Sequence, residues 1–399
     1  MRRVLAAILV TSLAVGLGGC RHRNTGMIHE GLGEPDYGRQ LALGQLALVK
    51  ITDPNEIPDF SAAWADLSGL HEAIARSLDY LAKPSSARCF PYGDIPRDKA
   101  VASLRAFDAL IAQRVPASQI NQVIRQQFDV YTSVGWDGRG TVLFTGYYTP
   151  ILEASPVQTE RFRYPLYRAP AGILKDEEGN VQGVKMADGS VQKMADRAGL
   201  ESSGQLKGLE LVWLADKFEV YIAQVQGSAK LRMPDGSLKT VGYTANNGYE
   251  YKSVGEAMVK DGKVAEKDLS LQWMIRYFRA HGDELDRYVK ANPRFVFFAE
   301  SDGPPRGCLN EPVTTWRTIA TDKSIFPRAC LAMVRTRRPQ MQGASVQMTA
   351  FNNFACDQDA GGGIRAPGRC DIYMGEGDSA ADLAGRTKEE GRLYYLFLK

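Results

Sequence analysis

Histidine is scarce in this chain, with four among 399 residues: His22, His29, His71 and His281. None lies within the C-terminal cysteine cluster, and no Cys-x-x-Cys spacing occurs, so the usual zinc ligand sets are absent. No Gly-x-Ser-x-Gly elbow and no P-loop is present. The run Gly361-Gly362-Gly363 lacks the spacing of a dinucleotide fingerprint. Charge of one sign is not in excess either. The formal net charge is +3, with no basic cluster interleaved with aromatics, which argues against nucleic acid as a partner. After the first twenty residues no long apolar run follows, so no later bilayer span is expected. What remains is ordinary for a folded soluble body: 44% hydrophobic and 24% charged residues, with length for two domains or one large one.

The N-terminus is more specific. Arg2 and Arg3 precede an apolar run from Val4 to Leu17, too short to span a bilayer comfortably, and Leu17-Gly18-Gly19-Cys20 ends it. This pattern resembles a bacterial lipoprotein signal, with residues 1–19 removed and Cys20 acylated. Arg21 stands where inner-membrane retention would favour aspartate, so the resemblance implies an outer-membrane anchor facing the periplasm. The polymer within reach of such a tether is the cell wall. If Cys20 carries lipid, Cys89, Cys308, Cys330, Cys356 and Cys370 remain. In that compartment one or two disulfides are favoured over metal, and spacing leaves the pairing open.

Residues 20–55 are polar and weakly periodic and read as a tether. Apolar stripes at three- and four-residue intervals predict helices over 64–81, 101–111 and from Ser118 to Phe128. From Thr141 the pattern turns to strands: 141–145, 209–213, 218–225, 294–298, 313–320, 332–335, 345–351 and 392–398. Ser253 to His281 and Asp283 to Ala291 read as helical, stopping at Asn292-Pro293.

Three sets of residues could carry chemistry. On a strand, Phe218, Val220 and Ile222 share a face with Gln224 and Gln226, just before Gly227-Ser228. Those amides either bond neighbouring backbone or meet a hydroxyl-rich ligand such as a sugar chain. Tyr147 and Tyr148, flanked by Thr145 and Thr149, either pack a core or stack on sugar rings. Asp359 opens the glycine-rich turn, and Asp371 shares a strand face with Tyr373. Two carboxylates brought together across a tight loop can raise one another's proton affinity, as a general acid requires; the alternative is a turn capped by Asp359.

Taken together, these segments resemble the membrane-bound lytic murein transglycosylase A family. The matching stretches are Phe144-Thr-Gly-Tyr-Tyr-Thr-Pro150, Tyr164-Pro-Leu-Tyr-Arg-Ala-Pro170, Gln224-Val-Gln-Gly-Ser228, Asn292-Pro-Arg-Phe-Val-Phe-Phe298, Asp359-Ala-Gly-Gly-Gly-Ile-Arg365 and Asp371-Ile-Tyr-Met-Gly375. Arg317-Thr-Ile-Ala-Thr-Asp322 fits as well, and coverage runs from about Gly140 to the end. The resemblance implies a mainly β, α+β architecture with N-terminal helices. Residues 56–148 and 297–399 would form a double-psi β-barrel, 149–296 an inserted β-rich domain, and the substrate groove would lie between them. It implies Asp371 as the catalytic acid/base and Asp359 as its support. Thr145, Tyr147, Tyr148, Gln224, Gln226, Gly227, Ser228 and Tyr373 would meet the glycan. Neither cofactor nor metal is implied. The partners would be peptidoglycan strands, the outer membrane through Cys20, and other enzymes of the cell wall.

The implied reaction cleaves the β-1,4 bond between N-acetylmuramic acid and N-acetylglucosamine without water, leaving 1,6-anhydro ends. A hydrolytic glycosidase on the same barrel and a non-catalytic wall-binding lipoprotein are the competing readings. Three features depart from the family pattern: Thr321, where an apolar residue is the expectation, the irregular Pro304-Pro305-Arg306-Gly307-Cys308 loop, and the flanking thiols Cys356 and Cys370. Those two thiols are expected either to clamp the loop as a disulfide or to lie buried and free.

Overall fold

A computed structural model describes residues 34–176, 180–342 and 345–399. The signal segment and Cys20 lie outside them. Among the described residues, no helix is long and apolar enough to cross a membrane.

Six strands close into a barrel. The ring runs Lys388–Leu398, Leu331–Gln342, Ser345–Asp359, Thr318–Ala320, Arg369–Glu376, Val142–Thr149 and back to Lys388–Leu398. Closure is made where Lys388–Gly391 pairs antiparallel with Val142–Thr145. Full closure removes exposed strand edges and lets alternate side chains fill the interior. The interior and its flanks are built from Phe144, Met333, Phe354, Ile372, Leu393, Tyr395 and Phe397, all buried. Two ladders are parallel: Thr318–Ala320 with Ser345–Asp359, and Arg369–Glu376 with Val142–Thr149. Parallel partners need crossovers, and the longest crossover here carries the second sheet.

That second sheet has six strands, in the order Val296–Ser301, Leu238–Asn246, Ser228–Arg232, Ile151–Ser155, Glu210–Leu214 and Tyr164–Tyr167. All of it is inserted between barrel strands Val142–Thr149 and Thr318–Ala320. The chain returns to the barrel only after Ser301, a few residues beyond Ala291-Asn292-Pro293, where the last helix of the insert ends.

The early chain is helical, with Leu70–Ala82, Arg97–Ala112 and Ala117–Gln127 packed on the barrel. Phe107 meets Phe354 with ring centroids 4.8 Å apart. The buried Arg317 guanidinium ties this layer down, donating to the carbonyls of Ser68 at 2.8 Å, Asp66 at 2.8 Å and Phe354 at 2.9 Å. The third helix starts one residue before Ser118, after Pro116, whose fixed φ suits a helix start. The stripe over 64–81 is two pieces because Gly69 adopts φ 73°. Leu48–Lys50, inside the expected tether, pairs with Phe128–Ser133, so the chain joins the fold before residue 55.

One strand is corrected, and the open reading of the two thiols is decided. Phe218 to Val225 is not a strand but part of the helix Lys217–Gln226. Its apolar residues also fit i, i+3, i+4 and i+7 through Phe218, Tyr221, Ile222 and Val225. The Asp216 carboxylate caps the start by accepting from Phe218 N at 2.7 Å, and Gly227 at φ 77° ends it. Cys356 and Cys370 form no disulfide; both are free and buried. Strand Thr318–Ala320 lies between their strands, which separates the backbones by two inter-strand spacings, about 10 Å. A disulfide needs Cα atoms closer than about 7 Å. Cys89, Cys308 and Cys330 are also free, so no disulfide forms among the described cysteines.

The segment read as helical over 253–281 is also broken, into Val254–Lys260 and Leu271–Ala280. The two short segments read as strands over 332–335 and 345–351 belong to one long hairpin, Leu331–Gln342 with Ser345–Asp359.

Candidate active site

The barrel register brings the two carboxylates to one place. Asp371 lies opposite Thr145 on one side and opposite Ala320 on the other. Asp359 also lies opposite Ala320, because a bulge after Ile319 skips Gln358 in the ladder. Residues opposite one another share a face, so both side chains leave the same surface from strands two spacings apart. A separation of twelve residues in sequence thereby becomes about 10 Å between backbones.

Their environments differ. Thr145 Oγ1 donates to Asp371 Oδ1. Asp359 accepts three bonds at 2.8 Å: from the Tyr147 hydroxyl to Oδ2, and from the backbone N–H groups of Cys308 and Ala360 to Oδ1. Burial raises the pKa of both carboxyls above the usual range. For Asp371 the Thr145 bond and the Arg369 charge pull the other way, while the Asp359 charge adds to the rise. Three donors hold the Asp359 carboxylate in its ionised form, and one holds Asp371. Hydrogen-bond count thus favours the ionised form more at Asp359 than at Asp371, although Arg369 also favours the ionised form of Asp371.

A seam of polar contacts continues from this pair to the insert. Tyr147 and Tyr373 are neighbours with ring centroids 5.2 Å apart. Thr149 Oγ1 lies 3.0 Å from the Tyr373 hydroxyl and 3.2 Å from Ser228 Oγ. Gln226 Oε1 accepts from Tyr148 N at 3.0 Å, so the end of helix Lys217–Gln226 docks on the barrel strand. Gly146 permits another close approach: a Cβ there would sit 2.6 Å from Met374 Sδ and 2.9 Å from Ala384 Cα. No side chain fits at position 146 between this strand and helix Gly377–Arg386.

The family profile described as "MltA specific insert domain" matches residues 143–299, and that described as "3D domain" matches 317–397. The lytic transglycosylase LtgG of Burkholderia pseudomallei is 30% identical; the alignment covers 91% of this chain and all of that one, with a TM-score of 0.52. The chain belongs to the MltA family of lytic transglycosylases. A membrane-bound lytic murein transglycosylase from Agrobacterium tumefaciens is 25% identical over 88% of this chain and 98% of its own, with a TM-score of 0.71. Membrane-bound lytic murein transglycosylase A of Escherichia coli K12 is 28% identical over 271 residues, 67% of this chain and 69% of that protein. The E. coli MltA structure with bound chitohexaose shares the fold at a TM-score of 0.65 and 24% identity, covering 90% of this chain and 96% of that one.

In this MltA-family chain, Thr145, Tyr147, Gln226, Gly227, Ser228, Asp359, Asp371 and Tyr373 lie along one seam between barrel and insert. Two expected residues stand differently. The Gln224 side chain is buried inside the insert, its amide nitrogen 3.4 Å from Val296 O and its Oε1 without a partner among the described residues. The Tyr148 ring points to the opposite face from Tyr147 and lines a cavity of about 150 Å³ with Phe218 and Tyr221. The sequence reading missed Arg369, whose Nη2 lies 3.4 Å from Thr145 Oγ1. Strand alternation would have found it, since 369, 371 and 373 share a face.

Thr145 offers a test of proton control. Its hydroxyl favours the ionised form of Asp371, so Thr145→Val raises that pKa further. The alkaline limb of the pH–rate profile is expected to move to higher pH in this variant. A limb that stays in place would show that Asp371 does not set it.

Proposed function

We propose that the chain cleaves peptidoglycan glycan strands as a lytic transglycosylase, with Asp371 as the single acid/base. The observation that carries this reading is the unequal hydrogen bonding of the two carboxyls: one donor on Asp371, three on Asp359. Protonated Asp371 gives its proton to the oxygen of the β-1,4 bond on the N-acetylglucosamine side, and that bond to C1 of N-acetylmuramic acid breaks. Ionised Asp371 then takes the proton of the muramic C6 hydroxyl, whose oxygen attacks C1 and closes the 1,6-anhydro ring. The proton returns to the carboxyl from which it left. Intramolecular attack needs no positioned water and gains from proximity. An inverting hydrolase would need a second carboxylate free to activate water. Asp359 is engaged by three protein donors, which favours the water-free route. Burial is the main cause that raises the proton affinity of Asp371, and the negative charge of Asp359 adds to it.

In this reading the barrel, built from chain on both sides of the insert sheet that spans Ile151 to Ser301, supplies the acid, and the insert supplies Gln226, Gly227 and Ser228 to the glycan. Lipid on Cys20 holds the enzyme on the periplasmic face of the outer membrane. Several relatives are named membrane-bound, which supports attachment to a membrane.

Mass spectrometry of fragments released from purified sacculi tests the reaction. Every new muramic end is expected to be lighter by one water than the reducing end a hydrolase leaves. Reducing ends would establish the hydrolase instead, and retention on sacculi without soluble fragments would establish a wall-binding protein.

A further inference from the structure

Arg294 lies just before the last insert strand and reaches across to the barrel. Its Nη1 donates to Tyr249 O at 3.0 Å. A Cβ placed on Gly362 would come within 3.2 Å of Arg294 Nε, so the guanidinium lies directly against the turn that follows Asp359. The Tyr251 ring fills the same role at Gly363, 3.2 Å from that Cβ position. Arg365 leaves the far end of this turn, and its positive charge disfavours the protonated form of Arg294, as burial does more strongly. Among the described residues no carboxylate forms an ion pair with Arg294. The carboxylate that meets Arg365, Asp322, is 3.7 Å away and already accepts from Ser324 Oγ at 2.6 Å and Ala366 N at 3.0 Å.

The Arg294 guanidinium is half-buried against the turn at Gly362, three residues before Arg365, with no carboxylate partner among the described residues, and a charge so placed is unfavourable until an anion meets it. An arriving anion relieves both the repulsion and the desolvation. Planar guanidinium forks match a carboxylate in two parallel bonds, which a neutral sugar hydroxyl cannot offer. The exposed rings of Tyr243 and Tyr249 beside this spot suit the body of a sugar strand.

We propose that Arg294, assisted by Arg365, forms an anion subsite at the rim of the Asp359 turn that takes a carboxylate carried by the muramic residue or its peptide. This rests on the glycan-cleaving reading above. It means that the enzyme distinguishes muramic-acid strands from neutral N-acetylglucosamine polymers by charge as well as by shape. The carboxylate has two sources: the lactyl ether of muramic acid once its peptide is stripped, and the acidic groups of an attached stem peptide.

The test measures binding by calorimetry with the full chain in detergent, carrying Asp371→Asn so that ligands survive. Three ligands separate the sources: chitohexaose, which has no carboxylate; strands stripped of peptide by an amidase, which expose the lactyl carboxylate; and peptide-bearing strands. Adding Arg294→Gln is expected to weaken a carboxylate-bearing ligand about tenfold and chitohexaose less than about twofold. A loss confined to stripped strands assigns the lactyl group, and one confined to peptide-bearing strands assigns the stem. Arg365→Gln, at a half-exposed position, is expected to give the same ligand pattern at about two- to threefold. Equal weakening of all three ligands would reduce Arg294 to a bridge between the sheets and overturn the proposal. So would unchanged binding of all three in both variants. A parent that binds no glycan at all would instead bring down the glycan-cleaving reading itself.

Discussion

Asp371→Asn is expected to reduce release of anhydro-ended fragments by about 10³-fold or more while leaving the barrel folded. The amide keeps the size of the side chain and can still accept from Thr145, but it has no proton to give to the leaving oxygen. The same change is expected to raise Tm by roughly 1–3 °C. The sign follows from linkage. Asp371 has its folded-state pKa above its unfolded value, so the native state binds the proton more tightly. That contribution is present below the unfolded pKa and is lost as pH rises through the folded one. At neutral pH the aspartate therefore costs stability, and the amide removes the cost. Fragment release and thermal melts on one preparation check both halves. Full release by Asp371→Asn would remove this residue from the acid role.

The second large effect concerns a group that no catalytic argument uses. Lys323 and Asp357 form an ion pair inside the barrel, with side chains 5% and 0% exposed. Asp357 also accepts from Thr321 Oγ1 at 2.7 Å and from the Tyr395 hydroxyl at 2.8 Å, and Lys323 Nζ donates to Thr321 Oγ1 at 2.8 Å. Thr321, which departs from an apolar family pattern, is thus a member of this buried network. Lys323→Met leaves Asp357 without its cation and is expected to cost about 3–5 kcal/mol in urea unfolding. Burial already pushes the Asp357 carboxyl up, and the ammonium is the largest opposing influence. Without it the carboxyl takes up a proton more readily. The variant should therefore regain stability on acidification, toward the ordinary carboxylate pKa. Adding Asp357→Leu to Lys323→Met is expected to recover much of the loss, since an apolar pair of similar volume leaves no charge buried. If Lys323→Met unfolds at the wild-type urea midpoint, the pair has no structural importance.

Much of the architecture can be read along the chain because it depends on local pattern. The three helical stripes of the first 130 residues and the strand at Val142–Thr149 follow from apolar periodicity. So does the closing strand near the C-terminus. The segment 217–226 fails for a local reason as well: a short apolar run fits both periods, and the decision lay with Asp216 and Gly227 at its ends. The thiols Cys356 and Cys370 stay open between a disulfide and two free thiols for a different reason. Both flank the acid turn in sequence, yet the intervening strand Thr318–Ala320 keeps them apart.

The residue types of the site, two aspartates, Tyr147 and the Gln226-Gly-Ser228 stretch, are written in the chain, and taken alone each fits an ordinary structural role as well as a site. Which aspartate keeps its proton is not written there. That depends on Tyr147 and the Cys308 N–H, 212 and 51 residues from Asp359, arriving at its oxygens when the barrel closes. Arg294 likewise meets the turn at Gly362 only across the seam between the two sheets. Periodicity reports what a residue does to its own few neighbours. Proton affinity and charge pairing are set by burial and by partners from distant segments, and those exist only in the closed fold.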